Sequence, residues 1–163
     1  MTMMKKLLLF LLLPVLGFGQ IGKSSSLSDE KQEIGSVNLW NAMGTVNGKA
    51  KLTKAYGKYF LSFQDQNFQK LSKIVIVEFS ATDEELDYLF NELKSTFKTY
   101  NEEFRIEVGN ATLVYNLYRK KEMKIFAILK NGEKGYFNTN AAALHILFGK
   151  EWDKKEWKKY LTN

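Results

Sequence analysis

Three two-residue turn signals, Asn47-Gly48, Gly109-Asn110 and Asn131-Gly132, each stand between runs of strand-forming residues. Asn and Gly tolerate the positive φ of a tight hairpin, so each pair sends the chain back antiparallel to itself. This constrains the fold more than any other feature of the chain. After Gly109-Asn110, residues 111–118 return, 119–122 form a charged loop, and 123–130 run back. Asn131-Gly132 turns again into 133–137, which closes a meander. Before that turn, Phe104, Ile106 and Val108 alternate with Arg105 and Glu107, so one face of the run is apolar. Upstream, Tyr56-Gly57-Lys58 reverses the chain into 59–63. The run 73–79 is β-branched and apolar at both parities, which predicts a central strand covered on each side.

Helices are signalled between and after these runs. Thr82-Asp83-Glu84-Glu85 is a capping box. Leu86, Leu89, Phe90, Leu93 and Phe97 follow it at helical spacing. Asn138, Thr139 or Asn140 can cap a second helix through Leu144 and Phe148 that ends at Gly149. A second capping box over 153–156, flanked by Trp152 and Trp157, predicts a short last helix over 154–161. No internal repeat is visible. The order predicts an α+β fold: a mainly antiparallel sheet of six to eight strands, one long helix after the central strand, and one or two C-terminal helices packed on it.

The N-terminal segment bears on destination. Lys5-Lys6 precede an apolar run from Leu7 to Leu16, and Gly17 and Gly19 place small residues before Gln20. This is the anatomy of a cleavable secretory signal, with the cut between Gly19 and Gln20. The apolar run is shorter than the roughly 20 residues a membrane span needs. The expected organisation is a signal peptide at 1–19, a flexible serine-rich lead-in at 20–35, and a single α+β domain at 36–163. Export of the bacterial type, to the periplasm or the medium, follows. The mature chain has no apolar run long enough for a transmembrane segment, and the Asn110-Ala111-Thr112 sequon is read as accidental.

Charge and composition narrow the function classes. The chain has 24 Lys and Arg against 18 Asp and Glu, a formal charge of +6, and Lys5 and Lys6 leave with the leader. The remaining excess is small and interspersed with acids, which does not describe a nucleic-acid groove. With no cysteine in 163 residues, disulfides and thiolate metal sites are excluded. No cofactor motif is present: the glycines form no phosphate-cradling run, and no serine stands in a nucleophile elbow. The acids at 83–87 open a helix and lack the turning backbone of a calcium loop.

Two groups of candidate residues remain. His145 is the only histidine; it reads as a helix residue at the edge of the core, with a hydrolase using His145 and a distant carboxylate as the alternative. Trp40, Tyr115, Tyr118, Arg119, Lys120 and Lys121 form the aromatic and basic candidates for binding. Trp40 follows Val37 and Leu39 in an edge strand and points away from Leu39. The leading expectation is a non-enzymatic exported domain that binds another exported protein or an anionic surface, as an inhibitor or immunity-like protein would. The alternative is a carrier of a small apolar or aromatic ligand between sheet and helix.

Overall fold

The computed structural model describes residues 31–40, 43–68, 73–119, 121–155 and 158. The expected signal segment with its expected Gly19-Gln20 cut, Lys120, Trp157 and most of the expected last helix lie outside them. Eight strands fall into two four-stranded antiparallel sheets, ordered β1-β2-β3-β4 and β5-β6-β7-β8. The first sheet comprises β1 (Gln32–Trp40), β2 (Val46–Ala55), β3 (Lys58–Gln64) and β4 (Ile74–Phe79); helix α1 (Asp83–Ser95) follows. The second comprises β5 (Glu103–Val108), β6 (Ala111–Arg119), β7 (Glu122–Leu129) and β8 (Lys134–Asn140); helix α2 (Ala141–Leu147) follows. Both halves are thus a meander followed by a helix, an order that recurs without any recurrence of sequence. Where one sheet was expected, the mostly antiparallel chain builds two.

Alternation decides which face of each strand is buried. Leu52 and Ala50 on β2, Tyr59, Leu61 and Phe63 on β3, and Val75, Val77 and Phe79 on β4 line the inner side of the first sheet. Leu113, Tyr115 and Leu117 on β6, Met123, Ile125 and Ala127 on β7, and Phe137 on β8 line that of the second. These residues and the apolar stripes of both helices form one core. Phe63 and Phe137 meet across it, ring centroids 4.7 Å apart.

Several sequence expectations are corrected. β4 is the edge of its sheet, not a central strand: Val75 and Val77 face inward, but Ile74 is 62% exposed and Ile76 also faces solvent. Isoleucine favours strands whether or not it is covered, so the run concealed its alternation. Asn47-Gly48 lies inside β2, and the chain reverses before it, with Gly44 at φ +73°. Pairing Val37 with Ala50 and Leu39 with Gly48 brings the apolar faces together, and that register overrides the local turn preference. β1 begins at Gln32, inside the stretch expected to be a flexible lead-in. Its Gly35 lies under the end of α2, where a Cβ would come within 1.9 Å of the Ile146 carbonyl oxygen. The charged loop at 119–122 shrinks to a turn, because β6 runs to Arg119 and β7 starts at Glu122.

Side chains close the exposed backbone edges between the sheets. The Glu78 amide of β4 donates to Asn110 Oδ1 at 2.9 Å, and the Asn110 amide donates to the Glu78 carbonyl at 3.0 Å. On β8, the Tyr136 amide donates to Asp65 Oδ1 and the Asn138 amide to Gln66 Oε1 at 2.7 Å. Asp65 and Gln66, both buried, thereby supply the partners that a ninth strand would otherwise give.

Two of the expected helices form as their caps dictate. Thr82 and Glu85 complete the capping box of α1. Tyr59 donates its hydroxyl to Asp83 at 2.9 Å, joining the first turn to β3. That bond, and then Lys54, hold the Asp83 carboxyl below its ordinary pKa. Asn140 caps α2 by accepting from the Ala143 amide at 2.9 Å. No helix among the described residues is long and apolar enough to cross a membrane.

Candidate binding cleft

The ends of four strands and the start of α2 enclose an open cleft of about 410 Å³. β1 contributes Asn38, Leu39 and Trp40; the β6–β7 hairpin contributes Tyr118, Arg119 and Glu122; and the β8–α2 junction contributes Asn138, Thr139, Asn140 and Ala143. Gly44, in the β1–β2 connection, completes the rim.

Both aromatic walls stand at irregularities in strand pairing. On the β1–β2 ladder, Leu39 faces Gly48 and Trp40 faces Val46, so Asn47 is an extra residue opposite the tryptophan. On the β6–β7 ladder, Leu117 faces Met123 and Arg119 faces Glu122, so Tyr118 itself is the extra residue. An extra residue breaks the ladder locally and re-aims a side chain. Here two aromatic residues, each beside a bulge, line one concavity on the outward side of their strands. Trp40 is 58% exposed, far more than its apolar ring would be in a core role.

The hairpin side of the cleft is held by a charged cluster. The Tyr118 hydroxyl donates to Glu122 Oε2 at 2.7 Å. Burial, reinforced by this bond, pushes the Tyr118 pKa up to about 12. The Arg119 guanidinium lies 5.3 Å from the Tyr118 ring centre and 3.7 Å from Glu122 Oε2. Lys124 stands beside both the Tyr118 and Tyr136 rings, at 5.7 and 4.2 Å from their centres. On the opposite wall the Asn138 side-chain oxygen is buried and makes no hydrogen bond within the protein. Its own backbone amide is already bound by Gln66. The Trp40 carbonyl likewise accepts from Gln66 Nε2 at 3.2 Å. One main-chain group on each of two sides of the cleft is therefore committed internally.

The sequence candidates separate cleanly. Trp40, Tyr118 and Arg119 meet in the cleft, and Lys121 is exposed in the adjoining turn without lining it. Tyr115 does not join them: it is 2% exposed and stacks on Phe104 in the core, 5.8 Å between centroids. Burial raises its pKa, with Glu92 and Tyr88 adding to the shift. His145 is 3% exposed and lies edge-on to Phe90 and Trp152, centroids 4.9 and 5.4 Å away. Its Nδ1 is 2.8 Å from the Glu151 carbonyl, which can only accept, so that nitrogen carries the proton. Sequence reasoning missed Asn38, Glu122 and Asn138. Asn138 to Asn140 carried a signal, but a helix cap accounted for it, and only Asn140 was needed for that. No group of three or more metal-ligating side chains occurs among the described residues.

Comparison with models of known families, with characterised proteins and with solved structures finds no match to this chain. The cleft must therefore be interpreted from its own chemistry.

Proposed function

We propose that this protein is an exported, non-enzymatic binding module that recognises another exported protein or a cell surface through the Trp40–Tyr118 cleft. One observation carries the reading: an exposed tryptophan and a tyrosine, each beside a β-bulge in a different sheet, line the same concavity, with Arg119 beside them. Tryptophan, tyrosine and arginine are the side chains that most often dominate binding energy. Nothing in core packing requires Trp40 to be exposed. The signal-like N-terminus supplies the expectation of export.

The alternatives are less well supported. The apolar stripes of both helices, Leu86, Leu89, Phe90 and Leu93 on α1 and Leu144 and Leu147 on α2, are packed into the core, where a carrier would need room for its ligand between sheet and helix. The ring contacts of His145 and its bond to a main-chain carbonyl fit a packing role better than that of a general base.

Affinity capture tests the proposal. Tagged protein, as wild type and as a Trp40→Ala, Arg119→Ala double variant, is incubated with envelope and medium fractions of the producing cells. The wild type should retain a partner that the folded double variant loses. Equal recovery by both proteins would show that recognition lies elsewhere.

A further inference from the structure

The lining of the cleft also limits the chemistry of what it holds. Arg119 and Glu122 lie 3.7 Å apart and offset one another, so the pair offers little net charge to a fully ionic ligand. The buried Asn138 oxygen has no donor within the protein, and a buried polar atom left without one is costly. A carboxylate or phosphate has no proton to give it. An ammonium group could donate, but it would have to sit in the same small cleft as the Arg119 guanidinium.

A peptide donates and accepts, yet it normally binds a sheet by extending the backbone ladder. On β8 that ladder is closed: Asp65 and Gln66 occupy the Tyr136 and Asn138 amides, and Gln66 also takes the Trp40 carbonyl at the end of β1. What remains is a mixed set of side-chain amides, two hydroxyls and one ion pair, facing an exposed indole. That set suits a ring with hydroxyls around its edge and C–H bonds on its face. The volume of about 410 Å³ lies within the roughly 300–1,000 Å³ typical of small-ligand clefts.

We propose that the cleft binds an uncharged sugar residue of an oligosaccharide, its C–H face on Trp40 and a ring hydroxyl hydrogen-bonded to the Asn138 side-chain amide. Glu122 accepts from, and Arg119 donates to, further hydroxyls. The inference rests on the cleft being the recognition site and specifies its ligand class. It makes the surface partner a neutral glycan.

The test is a titration of isotope-labelled protein, followed by amide chemical shifts, with chitotriose, cellotriose and maltotriose. A short Gly-Ser peptide and a heparin disaccharide provide the comparison. At least one neutral trisaccharide should bind saturably with Kd below about 10 mM, shifting amides of β1, the β6–β7 hairpin and the β8–α2 junction. Trp40→Ala and Asn138→Ala should each weaken it at least tenfold, whereas Trp40→Phe, which keeps an aromatic face, should weaken it less. Unchanged dispersion of the remaining amides shows that each variant is folded.

Absence of saturable binding by all three sugars, or binding that survives both alanine variants, overturns the inference. Binding of only the peptide or the anionic disaccharide at these residues does the same. If capture still depends on Trp40 and Arg119 while no sugar binds, the ligand class is wrong but the cleft stands.

Discussion

Single residues carry both the candidate site and the joints between the sheets. Tyr118 belongs to the site, and its raised pKa gives a pH signature. The folded state favours the neutral phenol, so its contribution to stability is fully present below the ordinary tyrosine pKa near 10. It is lost as pH rises through about 12. The difference in phenolate absorbance between wild type and Tyr118→Phe should show a group titrating near that value. Glu122→Gln should move the midpoint down, because the carboxylate both accepts the proton's hydrogen bond and repels the phenolate. Asp65 belongs to the joints. Its Oδ1 accepts from the Asn67 and Tyr136 amides with the residue fully buried. Asp65→Ala should therefore cost about 2–4 kcal/mol in urea denaturation, since two amides lose their acceptor. Trp40 could be singled out from sequence because strand alternation turns it away from Leu39. Asn138 could not, because its surroundings are set by residues distant in the chain, such as Gln66, 72 positions away.

At the scale of elements, local signals succeeded where the chain has one way to satisfy them and failed where a distant partner decides. The capping box of α1 forms as written. Thr82→Ala should cost about 1 kcal/mol in thermal or chemical unfolding. Tyr56 and Gly57 both adopt positive φ, at 52° and 71°, and make the turn expected of them. Asn47-Gly48 has the better turn chemistry but yields to the pairing of Val37 and Leu39 with β2. The position of β4 was hidden for a related reason: its neighbour on the open side is the Asn110 turn, not another strand. Gly35 gives a third case, because in sequence it argues against a strand. In the fold it lets the end of α2 approach β1. Gly35→Ala should destabilise the protein by more than about 2 kcal/mol, as overpacking against backbone leaves no flexible neighbour to yield. An unchanged unfolding midpoint would show that α2 does not sit against β1 in solution.

The whole molecule is two meanders sharing one core, each followed by a helix, with side chains from one half closing the strand edges of the other. Its mostly antiparallel character and both described helices could be read from turns and periodicity. The division into two sheets could not, because each strand's pattern reports which face is buried and not which sheet covers it. The cleft exists only because of that division: β1 lies in one sheet, and β6, β7 and β8 lie in the other. A recognition site at this junction implies that Trp40 contributes to binding and little to stability. The direct test is to measure both on one preparation of Trp40→Ala, by chemical unfolding and by capture of the partner that the wild type retains. Stability should change by less than about 1 kcal/mol, as for an exposed side chain outside the core, while capture is lost. A variant that keeps its partner, or one that unfolds as a core deletion would, contradicts the account.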